Sequence, residues 1–438
     1  MIRGREGQHS GRHPIPVERR PSDARLQQSY LEAARQTVQR MAGRPGRPGA
    51  MAPFDELMAT GARAEQVAAD PRKVVGYLCN FVPDELVLAA GAIPLRMDLG
   101  HAGSAEVGGR VFPADVCPEV KALVGAQLGQ LPMLEAVDLL VVPTACDGKK
   151  ELARLLGEQR EVWLMELPQS RDSRRARELW LEEIRALARA LEQLTGHRIR
   201  RRALRRAVEL VNCRSRLTRR LNALRWSSGG ASLMHLSGQD AFLVLQASFV
   251  ADVGWWVEQT GRLVRELEQA RGEQSAQDAT AQAAPGEAVR VMVTGSPVLF
   301  PDFQLLHLIE QAGAVVVADE MCSGTQRLHN LTVMDEPTLG GMMRAAAEKT
   351  LMPCTCPCFV GGDLRVDRVL ELAQASQARG VIHHTLRLCQ LFDMEAPRLA
   401  EALRQRGLPM LTLHAEYGSD GAATLKNRVE AFIEMLQQ

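Results

Sequence analysis

No run of about 18 or more uncharged apolar residues occurs in this chain, so no membrane-spanning helix is expected. The opening residues contain no apolar core of the kind a secretory signal carries, and a cytoplasmic protein is expected. An excess of one charge is missing as well. The formal net charge is +1, so no global field argues for nucleic acid or a membrane surface as partner. Aromatic residues are scarce, at 4%. G-x-x-x-x-G-K-S/T is absent, which excludes ATP hydrolysis through a P-loop. Thr294-Gly295-Ser296-Pro297 follows a strand pattern but lacks the G-x-G-x-x-G fingerprint of a dinucleotide site. It reads as a turn shaped for packing.

What is present is a chain of 438 residues, 46% hydrophobic, enough for more than one buried core. Strand patterns at 73–78, 93–98, 138–143 and 161–167 alternate with helical patterns at 83–91 and 148–158. A second alternation places strands at 288–295, 314–319, 380–384 and 409–414, with helices at 302–313 and 365–377 and a closing helix at 425–438. Repeated βα units predict an α/β fold of two doubly wound parallel-sheet domains, Rossmann- or flavodoxin-like. The halves echo one another. Pro83-Asp84, Ala90-Gly91-Ala92 and Asp98 correspond to Pro301-Asp302, Ala312-Gly313-Ala314 and Asp319. The spacings differ, which argues for a shared topology more than for a repeat.

Residues 1–50 hold ten arginines and four acids, and are expected to be a disordered, arginine-rich extension with one helix in 26–41. An α/β domain is expected at 51–171, a helical region and linker at 172–287, and a second α/β domain at 288–438. The helical region shows long patterns at 175–196, 201–224 and 240–270, and a polar stretch at 271–287 that reads as a surface loop. Between Arg198 and Arg225 stand eleven arginines and one acid, Glu209, which reads as a solvated face or a docking face for an acidic partner.

Nine cysteines are dispersed along the chain. Cys79, Cys146, Cys322 and Cys389 each come shortly after an apolar strand run, and Cys354, Cys356 and Cys358 form a C-x-C-x-C array. In a long chain of cytoplasmic character, such cysteines serve metals or catalysis better than disulfides. Ligands of open α/β sheets bind beyond the carboxyl ends of the strands, and thiolates select zinc, Cu(I) or iron–sulfur clusters. Zinc knuckles use C-x2-4-C pairs, which the long separations here do not match, so iron–sulfur is the better reading. The first half offers Cys79, Cys117 and Cys146; the second offers Cys322, one of the 354/356/358 group, and Cys389. Two sets of three could hold two cubanes. Cys213, inside an arginine-rich helical pattern, reads as a packed thiol. His383 and His384 fall near a strand end before Cys389, placed either to donate a proton or to serve as satisfied structural histidines. Glu85 and Glu320 read as surface or capping residues.

Several of these segments together resemble the 2-hydroxyacyl-CoA dehydratase and benzoyl-CoA reductase superfamily. The resemblance is carried by Val75-Gly76-Tyr77-Leu78-Cys79-Asn80 with Pro83-Asp84-Glu85-Leu86, and by Pro143-Thr144-Ala145-Cys146-Asp147-Gly148-Lys149-Lys150. Gly380-Val381-Ile382-His383-His384 through Leu386-Arg387-Leu388-Cys389 completes it, in the family's order. With Asp115-Val116-Cys117-Pro118, Asp319-Glu320-Met321-Cys322 and Pro353-Cys354-Thr355-Cys356, the chain looks most like the double-cubane branch. That resemblance implies six ligands, Cys79, Cys117, Cys146, Cys322, Cys356 and Cys389, around an 8Fe–9S double cubane, or a single 4Fe–4S cluster in the simpler subunits. Cys354 is the next choice to Cys356, and Cys358 departs from the pattern.

The resemblance further implies a homodimeric reductase acting on a small-molecule substrate. A separate ATP-hydrolysing activator with its own 4Fe–4S cluster would feed it electrons, and His383 or His384 would serve as proton source. Two other readings stand beside it: a dehydratase subunit with one 4Fe–4S cluster acting on a CoA thioester, and a zinc-stabilised scaffold without catalysis.

Overall fold

The computed structural model describes residues 23–226, 236–278, 288–361, 363–418 and 421–438. Eight strands occur among the described residues. They are β1 (Val74–Tyr77), β2 (Ile93–Arg96), β3 (Leu139–Pro143), β4 (Val162–Met165), β5 (Val289–Gly295), β6 (Ala314–Glu320), β7 (Gly380–Leu386) and β8 (Met410–Ala415). They build two all-parallel, four-stranded sheets with orders β2-β1-β3-β4 and β6-β5-β7-β8. The predicted α/β class and the shared topology of the halves are both present. Strand order reverses between β1 and β3 in one sheet and between β5 and β7 in the other, which is where such sheets receive ligands.

The chain divides into two compact units. One takes the described residues up to Ala33, Gly61–Glu209 and Thr332–Cys354; the other takes Ala34–Thr60, Leu210–Leu331 and Thr355–Gln438. In the first unit, β1 and β3 are buried along their whole length, because Val74, Leu78, Leu140 and Val142 pack with Leu152 and Leu155 of the following helix. Continuous apolar runs of this kind suit strands covered on both faces. Trp180 is fully buried in the same unit, and its Nε1 donates to the Ala347 carbonyl (3.0 Å) and the Thr350 hydroxyl (3.1 Å). In the second unit, Val291, Val293 and Val316 pack against Phe242 and Val429 on one face of the sheet. Met292, Ala318 and Val381 pack against Val369, Leu372 and Leu399 on the other.

The helix expected in 26–41 is present as Ala24–Ala42, and Asp23 Oδ1 accepts from the N–H groups of Arg25 (3.1 Å) and Leu26 (3.2 Å) at its start. Of the rest of the expected extension, residues 1–22 lie outside the described residues, whereas 43–50 are described, with Arg47 paired to Asp55 and Asp240. The single pattern at 240–270 is two helices, Gly238–Val250 and Val253–Asp278. Asp252 Oδ1 accepts from the N–H groups of Gly254 (2.9 Å) and Trp255 (3.2 Å) and so opens a new helix. Residues 271–278, expected as loop, continue that second helix, since Glu, Gln and Ala are strong helix formers however polar the stretch is. Residues 279–287 lie outside the described residues.

Several helices carried no clear sequence signal, among them Ala102–Gly108, Pro118–Leu128, Leu339–Leu351 and Gln390–Arg404. The first two are glycine-bearing because they touch backbone to backbone. A Cβ at Gly125 would stand 1.7 Å from the Ser104 carbonyl oxygen, and one at Gly108 would stand 1.9 Å from that of Lys121. The last carries Pro397 in its interior, which breaks the pattern a helix usually shows.

Candidate metal centre

In the first unit Cys79 and Cys146 stand beside one lysine, Lys149, and Cys117 interacts with Cys146 and Glu119. Cys79 lies two residues beyond β1 in the left-handed region (φ 62), and its N–H donates to Asp98 Oδ2 (3.0 Å). Cys146 follows β3 and is the N-cap of the helix Asp147–Leu156, which carries Lys149. Cys117 is the N-cap of the helix Pro118–Leu128, which carries Glu119. Lys149 Nζ donates to Cys79 Sγ at 2.9 Å and pairs with Glu119 Oε1 at 3.0 Å and Asp98 Oδ1 at 3.4 Å. Arg96 Nε holds the other Asp98 oxygen at 2.6 Å, and its NH1 donates to Asn80 Oδ1 at 2.9 Å.

The charges follow from this geometry. Burial works against the Lys149 ammonium, but Asp98, Cys79 and Glu119 outweigh it and hold the pKa well above the usual lysine value. Burial also works to raise Asp98, yet Lys149 and then Arg96 more than offset it, so this carboxyl stays below the ordinary range. Glu119 is pushed up to about 8 by burial, only partly opposed by Lys149. Burial pushes the Cys79 thiol well above its usual value, with Lys149 opposing. Cys146 rises for the same reason, and Glu119 and Cys117 add to the rise.

The second unit holds Cys322, Cys356, Cys358 and Cys389, all half-buried. Cys322 lies two residues past β6; Cys389 is the N-cap of Gln390–Arg404, preceded by Leu388 at φ 65. Thr355 donates its hydroxyl to Glu320 and accepts from the Gln326 amide, so Cys356 sits one residue from a contact with the end of β6. Cys354 falls in the first unit, is 6% exposed, and its carbonyl takes a hydrogen bond from Arg171. No disulfide joins any of the nine cysteines. Cys213 is half-buried on the helix Arg201–Trp226, with Arg216 NH2 at 3.2 Å from its sulfur.

Glu85 and Glu320 are not surface residues: both are buried. Glu85 pairs with Lys349 at 2.7 Å. Burial raises the pKa of Glu320, with Arg365 the main opposing charge. His383 and His384 lie inside β7, in register with Thr294 and Gly295, and not at its end. Both are buried. Burial, reinforced at His383 by Arg365, lowers the first to about 3; burial lowers the second to about 4. Both rings are therefore neutral at pH 7. His384 Nδ1 is 3.1 Å from the Ser296 carbonyl, which can only accept, so that nitrogen carries the proton. His383 Nε2 has no hydrogen-bond partner among the described residues.

Among the described residues, no group of three or more His, Cys, Asp or Glu side chains stands at the spacing that holds one metal ion. The closed tetrahedral arrangement of structural zinc is thus not among them. A cluster of several irons is ligated at separate metal atoms, so its thiolates stand farther apart than those around one ion. The donor set here, half-buried thiols gathered past strand ends and at helix N-termini, fits such a group in chemistry. Sequence reasoning misses the part played by Lys149 and Asp98. A signal for Lys149 does exist: it comes three residues after Cys146 and therefore lies on the same helical face as the start of that helix.

The family model for the 2-hydroxyglutaryl-CoA dehydratase D-component matches residues 79–436, opening on Cys79 and spanning all nine cysteines. The chain belongs to this family. Members of the dehydratase D-component family carry 4Fe–4S clusters and work with an activator. The chain is 28% identical to the putative dehydratase subunit YjiM of Escherichia coli (strain K12), over 83% of this chain and 91% of that protein. It is 23% identical to one of the subunits of benzoyl-CoA reductase from Thauera aromatica, over 88% of this chain and 96% of that one. It is also 23% identical to the beta subunit of (R)-2-hydroxyglutaryl-CoA dehydratase from Acidaminococcus fermentans, over 84% and 93% of the two chains. No described helix is long and apolar enough to cross a membrane.

Proposed function

We propose that this chain is an iron–sulfur reductase that takes low-potential electrons from an ATP-hydrolysing activator and reduces a small substrate at a double-cubane 8Fe–9S cluster. The distribution of thiols supports this reading. Each unit has a four-stranded sheet of the same order, and the proposed ligands, all half-buried, divide three and three between the units, the second of which also holds half-buried Cys213 and Cys358. The six are Cys79, Cys117 and Cys146 in one, and Cys322, Cys356 and Cys389 in the other. Four of the six follow the carboxyl ends of strands. Cys117, Cys146 and Cys389 stand at the N-cap positions of helices, the ends that carry the partial positive charge.

A cluster so held supplies one-electron transfer at low potential. The chain's own residues orient the thiolates and exclude water around them. His383 is the better candidate to relay a proton, because its Nε2 has no hydrogen-bond partner among the described residues, whereas His384 commits its Nδ1 proton to the Ser296 carbonyl. A homodimer is part of this reading.

The second reading, a single-cluster dehydratase subunit acting on a CoA thioester, draws on the names of two relatives, from Escherichia coli and Acidaminococcus fermentans. Iron and sulfide quantitation on anaerobically purified protein separates the two. The expected result is about eight irons per chain. About four would replace the double cubane with the single-cluster reading, and colourless protein with stoichiometric zinc would discard both.

A further inference from the structure

Lys149 is a lysine that does not reach water: its side chain is 8% exposed. A lysine at the start of a surface helix normally extends its ammonium into solvent. Here the ammonium donates to Cys79 Sγ at 2.9 Å and to Asp98 Oδ1 at 3.4 Å, and lies 3.0 Å from Glu119 Oε1 as an ion pair outside hydrogen-bond geometry. Cys79 is held from its other end too. A non-glycine residue in the left-handed region persists only where its surroundings enforce it, and the Cys79 N–H is fixed by Asp98, the same carboxylate that anchors Lys149. Backbone and sulfur of this cysteine are thus clamped by one interlocked ion pair, all within one unit.

We infer that Lys149 is a positioning residue for the Cys79 thiolate, and that its charge-assisted hydrogen bond to the sulfur makes an attached cluster easier to reduce. The inference rests on the reading that Cys79 holds iron. Reduction adds one electron and no proton, so the reduced state is the more negative one. An ammonium against a ligand sulfur draws electron density from it and favours that state, strongly so where water is excluded. A lysine serving only to neutralise Asp98 and Glu119 would hold the fold together without setting the potential.

The test uses full-length protein purified anaerobically and titrated with dithionite, with the cluster followed by EPR and with iron and sulfide counted per chain. K149M/E119Q removes the ammonium and its hydrogen bond together and exchanges the Glu119 carboxyl for an amide of the same size. It should keep wild-type iron while its reduction equilibrium shifts at least tenfold against the electron, which is 59 mV for a one-electron couple. K149R, which keeps both charge and donor, should titrate with the wild type, as should K150M at the exposed neighbouring lysine. Should the double variant fail to fold, K149Q, which keeps a donor without the charge, should shift in the same direction. An iron-loaded K149M/E119Q or K149Q with the wild-type midpoint would overturn the inference alone. So would a K149R displaced as far as the double variant. Wild-type protein without iron would overturn the cluster reading beneath it.

Discussion

Lys349 Nζ lies 2.7 Å from Glu85 Oε1, and both side chains are buried, at 8% and 1% exposure. Thr332 donates to the same carboxylate oxygen at 2.6 Å. Burial works to raise the Glu85 pKa, but Lys349 outweighs it and the group stays below its ordinary value. The contact ties the helix Asp84–Ala89, which begins five residues after Cys79, to the helix Leu339–Leu351 of the same unit. K349M leaves a buried carboxylate without its counter-charge and should cost about 3–5 kcal/mol. E85Q/K349M should recover most of that loss. Denaturant unfolding followed by tryptophan fluorescence measures both, and an unchanged midpoint in K349M would refute the assignment.

Gly125 is where the helix bearing Cys117 touches its neighbour. An added methyl would meet the Ser104 carbonyl at 1.7 Å, a distance no side-chain rotation relieves. G125A should force the two helices apart, at about 1–3 kcal/mol or more, and lower the iron content by displacing Cys117. Gly340, exposed near the start of the helix Leu339–Leu351 with nothing within 4 Å of an added Cβ, is the control. G340A should be neutral or slightly stabilising by thermal melt.

The six cysteines proposed as ligands separate from Cys213 by place in the fold. C146S and C389S should each lower iron per chain and bleach the visible absorption. C213S, on the helix Arg201–Trp226 beside Arg216, should do neither. Equal loss of iron in C213S would mean that the ligand set is wrong.

His101 is 3% exposed, and its Nδ1 accepts from the Ser104 N–H at 3.2 Å, so the ring is neutral in the fold. Burial lowers its pKa to about 4, with a hydrogen bond at Ser29 opposing. An unfolded histidine titrates near 6.5. Above about pH 6.5 the ring is neutral in both states and its contribution is complete. As the pH falls below that, the unfolded chain takes the proton first, and stability declines until about pH 4. His329, lowered to about 4, shifts in the same sense, as do the two histidines of β7. Stability should therefore be lower at pH 5 than at pH 7.5. H101N should reduce that difference by about 1–2 kcal/mol in paired denaturant titrations. A difference as large as in the wild type would exclude His101 as a source.

Legibility in the sequence followed how local each cause was. The apolar runs of β1, β3, β5 and β6 announce buried parallel strands, because a strand covered on both faces needs no alternation. The helix Pro118–Leu128 did not announce itself, since its glycine serves contact with another helix and weakens its own signal. Glu85 and Glu320 looked like surface residues because their partners, Lys349 and Arg365, lie far along the chain. The two histidines looked terminal because the polar end of β7, through Leu386, carries no apolar pattern to mark it.

By itself the sequence determined the α/β class, the parallel sheets and the placing of Cys79, Cys146, Cys322 and Cys389 just past strand ends. These rest on short-range pattern: apolar runs set strands, and the residues that follow a strand must lie at its carboxyl edge. Only the tertiary structure decided what surrounds each thiol. Lys149 reaches Cys79 because β1 and β3 are neighbours in the sheet, although 70 residues separate the two side chains in the chain. Asp98 joins them from the end of β2 on the other side of β1. Charge set beside sulfur in this way depends on strand order, and strand order is a long-range property that no local pattern contains.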